Sequence, residues 1–387
     1  MSLYLDNATP LYFACSQGHV ADVSALLAAG AAKDLAMPDG TTPLYTACSH
    51  GHVAVVSVLL AAGAAKDLAR ADGMNPLFVA CFRNHVEVVS ALLAAGAAKG
   101  LATPEGFTPL YIACLRGHVA VVSALLVAGA TKDLLISNGT TPLLGACLRD
   151  HVDVVSALLA AGASKDLAKP DGTTPLFAAC LDGHFAIVSA LLAAGAEKDL
   201  AMPSGATPLY AACMNGHLAC VKLLSSYGAA RSKLGYFNVQ TAAEEEGQDK
   251  VSAWLTLSRE WSSPLHHLEI ISADRARDLL RAGADLNAAG QQGGPTPLSL
   301  ARALGEAGSA AAASQTPSEL VLRAAELWSP EGHNLFPAAA RARAVEMLRL
   351  GVLLSWLPRF RGVEGALLDA WRAGVIPRAV DRVMSWH

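Results

Sequence analysis

The sequence has no apolar run of the roughly 18 residues that a membrane-spanning helix requires. Its most apolar stretch, residues 347–357, is too short and is interrupted by Arg349. Charged residues make up only 16% of the chain and leave a net charge of −4, which indicates no bulk electrostatic partner. The first ten residues lack the basic and apolar regions of a secretory signal. We therefore expect a protein that has no membrane partner and no nucleic acid partner.

Cysteine is sparse but regularly placed. If regularly spaced cysteines mark the same position of successive packed repeats, neighbouring cysteines lie roughly 8–10 Å apart. A disulfide needs its two Cα atoms within about 7 Å. The regularly spaced cysteines therefore do not pair with one another, and reduced thiols favour a cytoplasmic or nuclear location. They recur every 33 residues, at Cys15, Cys48, Cys81, Cys114, Cys147, Cys180 and Cys213.

The same period appears throughout the first two thirds of the chain. One unit, residues 39–71, reads DGTTPLYTACSHGHVAVVSVLLAAGAAKDLARA. Thr42 and Pro43 suit the N-cap and first turn of a short helix, which Gly51 and His52 end. A second helix with apolar residues at helical spacing follows. A period of this length predicts a solenoid, in which each repeat buries its apolar face against its neighbours.

This pattern resembles the ankyrin repeat, in which Asp-Gly-x-Thr-Pro-Leu-His-x-Ala precedes Gly-His and Leu-Leu-x-x-Gly-Ala. Seven close copies span residues 1–236, and degenerate and divergent copies span 237–305. The resemblance implies an all-α fold, an ankyrin-type solenoid of helix-turn-helix repeats with hairpin loops. One departure is consistent: the family's His is replaced, and we expect packing between repeats to take over its role. The replacing residues are Tyr12, Tyr45, Phe78, Tyr111, Leu144, Phe177 and Tyr210.

The composition changes near residue 250, since all cysteines lie before it and all tryptophans after it. Residues 306–318 are small and polar enough to predict a linker. Residues 319–387 predict a small helical C-terminal module of short amphipathic helices, which resembles no named module. Two interpretations of this module stay open: it covers the open end of the stack, as terminal repeats require, or it docks onto other proteins.

The spacing of reactive side chains favours structural roles over chemistry. Each repeat supplies one Cys and one His, such as Cys48 and His52, whereas zinc needs four ligands at one point. We interpret the cysteine as a packing residue and the histidine as a partner of the turn backbone. Recurrent serines such as Ser24 are interpreted as small packing residues, and the Lys33-Asp34 dipeptides as weakly paired surface charges. We expect no enzyme, no metal and no cofactor.

The resemblance also implies a recognition surface on the concave face, built from hairpin tips and the exposed side of the first helices. Family binding residues commonly occupy the two positions before Gly-His. On this chain they give an apolar row beside a row of arginines, to which hairpin residues such as Arg70 add. We name the predicted protein-binding residues the binding stripe: Phe82, Arg83, Phe107, Leu115, Arg116, Leu148, Arg149, Leu181 and Met214.

The binding stripe predicts a protein partner with an acidic and apolar segment, because arginine pairs bidentately with carboxylates. The alternative is that repeat duplication copied the arginine, which then stays solvated. The leading hypothesis is a non-catalytic protein–protein interaction scaffold. A second hypothesis is an adaptor that captures a target with its repeats and docks onto larger machinery, for example a ubiquitin ligase, through its C-terminal helices. The sequence leaves the oligomeric state open.

Overall fold

The computed structural model describes residues 9–231, 238–259, 261, 263–288, 294–307, 316–325 and 342. These residues form nineteen α-helices, one 3₁₀ helix and no strand, which confirms the predicted all-α fold. They divide into two compact units, the first ending at Asn215 and the second beginning at Gly216. None of the described helices is long and apolar enough to cross a membrane.

The first unit is a stack of helix pairs. Each first helix packs on the first helices of the neighbouring repeats, and the second helices pack in the same way. The first helices are α1 (Pro10–Gln17), α3 (Pro43–His50), α5 (Pro76–Phe82), α7 (Pro109–Leu115), α9 (Pro142–Cys147), α11 (Pro175–Asp182) and α13 (Pro208–Met214). The second helices are α2 (Val20–Ala28), α4 (Val53–Ala61), α6 (Val86–Ala94), α8 (Val119–Val127), α10 (Val152–Ala160) and α12 (Phe185–Ala193).

The Thr-Pro-Leu tripeptide starts every first helix except α5, where Asn75 takes the place of the threonine. Thr42 has an extended backbone, and its hydroxyl oxygen accepts a hydrogen bond from the Tyr45 N–H at 3.1 Å. Pro43 follows at the first helical position, where its fixed φ suits the helix and its missing N–H costs nothing. Leu44 is then fully buried. Tyr45, which replaces the family's His, is itself buried, so packing occupies this position.

In the first four repeats, a histidine from the next repeat holds the turn between first and second helix. The Nε2 atom of His52 donates to the Ser16 carbonyl at 3.0 Å, and that of His85 donates to the Ser49 carbonyl at 3.2 Å. Gly51 in such a turn has a φ of 76°, and a Cβ there would lie 2.8 Å from the Nδ1 atom of His85. The Gly-His pair therefore serves packing between repeats as well as the turn itself.

The aspartates of the Lys-Asp dipeptides also join neighbouring repeats. The Oδ1 atom of Asp34 accepts a hydrogen bond from the Ala65 N–H at 2.8 Å, and Asp67 accepts one from Ala98 at 2.9 Å. Our interpretation of these dipeptides as weakly paired surface charges holds for Lys165–Asp166 and Lys198–Asp199, whose charged groups lie 3.6 Å and 3.1 Å apart. It is incomplete, because the aspartate carboxylates also bind backbone amides of the next repeat. The third repeat lacks this bond, since its residue is Gly100.

Replacing Gly100 by Asp is expected to restore the missing bond, to the N–H of Thr131. Gly100 lies outside the left-handed region, and a Cβ there meets no atom within 4 Å. Loss of glycine entropy and one new hydrogen bond together raise the free energy of unfolding by roughly 1–2 kcal/mol. Urea unfolding measures this. Gly100→Ala is the control, since it gains only the entropic part. Equal stability of the two variants contradicts the account.

The second unit contains the remaining helices, and its last three α-helices share a core with the 3₁₀ helix. The core residues are Leu265, Leu268, Ile271, Ala276, Leu280, Ala301, Leu320 and Val321. The α-helices are α14 (Leu218–Ser226), α15 (Val239–Glu245), α16 (Asp249–Leu257), α17 (Ala273–Arg281), α18 (Pro297–Ala307) and α19 (Pro317–Ala325), with a 3₁₀ helix at Pro264–His267.

Two helices of the second unit extend into residues 306–318, which were predicted to be a linker. Helix α18 ends at Ala307, and α19 begins at Pro317. Thr316 and Glu319 cap α19 reciprocally: the Glu319 N–H donates to the Thr316 hydroxyl at 3.2 Å, and the Thr316 N–H donates to the Glu319 carboxylate at 3.0 Å. Because α19 packs on α18 and contributes two residues to the shared core, residue 318 does not separate two cores. Residues 326–387, apart from residue 342, lie outside the described residues.

Two buried histidines pack between two tryptophans in the second unit. The ring centroid of His267 lies 5.1 Å from that of Trp261 and 5.8 Å from that of Trp254. Burial, together with the nearby charges of Arg231, His266 and Lys222, lowers the pKa of His267 from 6.5 to about 3. The folded second unit therefore needs a neutral His267.

The stability of the second unit is expected to fall as the pH drops below 6.5. The unfolded chain binds a proton at His267 near pH 6.5 and the folded chain only near pH 3, so stability is lost by up to about 1.4 kcal/mol per pH unit between these values. Hydrogen–deuterium exchange in α16 and α17, corrected for intrinsic rates, measures this at pH 7 and pH 5. The His267→Phe variant should lose most of the dependence, and an unchanged dependence contradicts the assignment.

Candidate protein-binding surface

The binding stripe lies where the first helices end. Helix α5 ends at Phe82 with Arg83 as its C-cap, and α7 ends at Leu115 with Arg116 as its C-cap. A cation at a helix C-terminus is favourable, because the helix dipole is negative there. Since α5 packs on α7 and α7 packs on α9, the residues of the stripe follow one another along the stack.

The fifth repeat continues the stripe with a small difference. Helix α9 ends one residue earlier than α5 and α7, so that Leu148 is the C-cap and Arg149 follows it. Leu148 is 42% exposed. Arg149 is exposed as well, as are Arg83 and Arg116.

Arg116 lies over an aromatic ring of the preceding repeat. Its guanidinium carbon is 4.1 Å from the centroid of Phe82, whereas that of Arg83 is 5.7 Å from the same centroid. A guanidinium this close to a ring face is held by a cation–π interaction. The Phe82 carbonyl in turn accepts a hydrogen bond from the Nε2 atom of His118 at 3.3 Å. The repeat that carries Arg116 and His118 therefore contacts Phe82 of the preceding repeat at both its ring and its carbonyl group.

Arg149 and Phe107 both lie near Tyr111. Burial raises the pKa of Tyr111, and the positive charge of Arg149 acts in the opposite direction, which places this guanidinium near the phenol. The ring of Phe107, in the hairpin loop, stacks on that of Tyr111 with centroids 5.4 Å apart and planes 25° apart. Phe107 is half-buried by this contact, so only part of its ring is exposed.

The remaining apolar residues of the stripe are only half-exposed. Leu115, Leu181 and Met214 are each half-buried. Leu181 packs against a small core of Phe177, Ala206 and Ala211. The apolar row is therefore more accessible at Leu148 than at its other positions.

The three arginines of the stripe differ from Arg70 in their partners. Among the described residues, none of the three forms an ion pair with a carboxylate. Arg70 lies 3.6 Å from Asp39 and 3.5 Å from Asp72, and it donates to the Tyr45 hydroxyl. Contacts with Asp39, Asp72 and Tyr45 therefore hold Arg70 at the hairpin loops. The three arginines of the stripe are exposed to solvent.

Models of protein families match most of residues 2–233. A model of three ankyrin repeats matches residues 2–70, 59–134 and 121–202, and a single-repeat model matches residues 204–233. These matches cover more than half of the 387 residues. The chain belongs to the ankyrin repeat family. The resemblance in the sequence is thereby confirmed.

Solved ankyrin repeat structures are similar to this chain over much of their length. The human ASB11 ankyrin repeat domain is 28% identical, with a TM-score of 0.48, covering 62% of this chain and 98% of that chain. The ankyrin repeat domain of Bcl-3, a member of the IkappaB family, is 28% identical with a TM-score of 0.48, covering 53% and 93%. An ankyrin repeat domain from Acinetobacter baumannii is 29% identical with a TM-score of 0.47, covering 49% and 98%. No curated protein sequence matches the chain.

A second apolar row of these ankyrin repeats is as exposed as Leu148. It follows each Lys-Asp dipeptide and the equivalent Lys99-Gly100, and the 33-residue period would have revealed it. Exposure alone therefore does not distinguish the binding stripe, whereas the combination with unpaired arginines does. The row consists of Leu35 (55% exposed), Leu68 (44%), Leu101 (42%), Leu134 (39%), Leu167 (39%) and Leu200 (41%).

The surroundings of the cysteines and histidines in the ankyrin repeats fit structural roles. All eight cysteines are buried, and none of them is in a disulfide. No group of three or more metal-binding side chains occurs among the described residues.

The prediction that the serines are packing residues is wrong: Ser24 and Ser57 are exposed, and each hydroxyl donates to a carbonyl four residues earlier in its own helix, at 2.9 Å.

The turn after Arg149 departs from the Gly-His pattern. Asp150 occupies the glycine position with a φ of 57°. The following repeat's His184 lies with its Nδ1 atom 3.4 Å from the Asp150 carboxylate, in place of the carbonyl bond that His151 makes to Leu115 at 3.2 Å. The repeat that carries Leu148 is therefore held differently from its neighbours.

Replacing Asp150 by Gly is expected to raise the free energy of unfolding by about 1 kcal/mol, because a left-handed backbone is strained for residues other than glycine. His184 should then bond the Leu148 carbonyl. Urea unfolding measures the gain. Asn84→Gly is the matched control, since Asn84 has a φ of 61° while His118 keeps its carbonyl bond, and it should gain less. A destabilised Asp150→Gly variant contradicts this view of the turn.

Proposed function

We propose that this protein is a non-catalytic interaction scaffold that binds a partner protein through the binding stripe on the concave face of its repeats. Ankyrin repeats are generally protein-interaction modules. The observation that carries the proposal is the row of Arg83, Arg116 and Arg149, exposed on three consecutive repeats and without a carboxylate partner among the described residues. Solvent-facing arginines beside apolar contacts are typical of binding hot spots.

The chemistry of the stripe favours a partner with an acidic and apolar segment. Arginine forms two parallel hydrogen bonds to a carboxylate, and Leu148 offers an exposed apolar contact next to Arg149. The net charge of the chain is −4, so the protein as a whole does not attract acidic molecules. An acidic partner would have to recognise the local arrangement of the arginines.

The burial of the cysteines supports a non-catalytic role. Burial raises the pKa of the Cys15 thiol to about 12, and it raises the pKa of Cys48 further. A thiol with such a pKa is not a nucleophile at neutral pH, because the thiolate is the reactive form. The lack of disulfides among the eight cysteines also supports the further proposal of a cytoplasmic or nuclear location, where thiols stay reduced.

The adaptor hypothesis depends on residues 326–387, nearly all of which lie outside the described residues. It stays a prediction, as does the interpretation of these residues as a cap. Helix α19, the first helix of the predicted module, belongs to the core of the second unit, so a deletion that separates docking from stability has to begin after residue 325.

Replacing Arg83, Arg116 and Arg149 by Glu is expected to abolish capture of specific partners from a cytosolic extract, as read by quantitative mass spectrometry. The charge reversal turns three attractive contacts into repulsive ones. Lys33/Lys66/Lys132→Glu is the matched control, because it makes the same charge change on the inter-repeat loops, and it should keep the partners. Circular dichroism checks that both variants stay folded.

Partners lost equally from both variants would point to a general charge effect and contradict the stripe as the binding surface. An unchanged partner list for the arginine variant would make the arginines a consequence of repeat duplication.

A further inference from the structure

We propose that the binding stripe holds an extended acidic segment that places one carboxylate on each of Arg83, Arg116 and Arg149, so that acidic residues recur at every third position of the partner. This inference rests on the proposed function of the stripe. It adds the conformation of the partner, the spacing of its acidic residues, and the arginine that anchors it.

The spacing follows from the stacking of the first helices. Arg83, Arg116 and Arg149 are each one 33-residue repeat apart, at the ends of helices that pack side by side. Packed helices have axes roughly 8–10 Å apart. A polyproline II segment has three residues per turn and rises about 3.1 Å per residue, so every third side chain points the same way after about 9 Å. One turn of such a partner therefore matches one repeat.

The same geometry accounts for the apolar row. Each repeat presents one apolar residue directly before its arginine, as in Leu115-Arg116 and Leu148-Arg149. In a three-fold extended segment, one face carries the carboxylates, a second face lies on the apolar row, and the third stays in solvent. The stripe therefore takes one carboxylate and one apolar contact from each turn.

An extended segment also suits the side chains that flank the arginine row. The position that follows Arg149 in this row is Asp182, whose exposed carboxylate limits the acidic segment to the three arginines. In the remaining repeats the same position is Gln17, His50 or Asn215, all exposed. Such amide and imidazole groups can bond the free N–H and C=O groups of an extended backbone. A helical partner would bring no free backbone groups, because a helix satisfies its own.

Arg116 is the anchor of the three arginines. It is the central one, and its guanidinium lies 4.1 Å from the centroid of Phe82. Stacking on the ring face fixes the plane of the guanidinium and leaves its N–H edge for a carboxylate. Less side-chain freedom is then lost on binding. Arg83, at 5.7 Å from the same ring, is held less closely.

Fluorescence anisotropy with synthetic probes tests the spacing on the full chain at physiological salt. The first probe is a labelled peptide of five Glu-Pro-Pro triplets. The second has the same glutamates and prolines, with glutamate at every second position and the remaining prolines at the end. The third is a helical peptide with glutamate at every seventh position. We expect the triplet peptide to bind about tenfold more tightly than the other two. The second peptide cannot place a carboxylate on all three arginines at once. The helical peptide has no free backbone groups for the flanking side chains.

Substitutions then test the anchor. Arg116→Lys keeps the charge but loses the stack and the forked donor, and should weaken the triplet peptide about tenfold. Arg83→Lys should weaken it only about twofold. Phe82→Leu changes no charge and should also weaken binding, while Lys66→Glu on the inter-repeat loop should not. Equal effects of the two lysine variants would overturn the assignment of Arg116.

Equal affinity for the two proline-rich peptides, or tighter binding of the helical one, would overturn the extended register. If none of the probes binds while arginine-dependent capture persists, this inference fails and the proposed function stands. If capture does not depend on the arginines either, both fail.

Discussion

Burial of each repeat against the next is the interaction on which the array depends. No single pair of short helices encloses its own apolar residues, and Leu44, Val56 and Leu59 become fully inaccessible only within the stack. Polar bonds between repeats accompany this burial. A histidine of one repeat bonds a turn carbonyl of the repeat before it, and an aspartate bonds a loop amide of the repeat after it. Each repeat is therefore positioned on both sides.

Because of this packing, the repeats differ in sequence mainly at positions that do not face a neighbouring repeat. Positions that face a neighbouring repeat are nearly uniform, whereas the ends of the first helices face solvent and carry different residues from one copy to the next. The helix dipole explains why a cation is favourable there. It does not explain why Arg116 lies on Phe82 of the preceding repeat. The stripe is thus built from the same stacking that forms the core.

Features within one repeat could be predicted from the sequence, and contacts between repeats could not. The threonine caps, the proline at the first helical position and the buried cysteines follow from local pattern. The hydrogen bond between the Ala65 N–H and the Asp34 carboxylate joins two different repeats. The local sequence around Asp34 therefore indicates only a charged surface residue. The start of α19 was readable, because Thr316 and Glu319 have the spacing of a capping box. The alanine-rich stretch before it suggested a linker instead.

The most direct test of the account is a nuclear magnetic resonance titration of the arginine Nε–H signals with the triplet peptide. The account predicts shifts of the Arg83, Arg116 and Arg149 signals, the largest at Arg116, while the signal of Arg70 stays in place because it is committed to Asp39 and Asp72. Shifts spread over arginines of both units, or shifts that leave Arg116 unaffected, would contradict the claim that the stripe is the recognition surface.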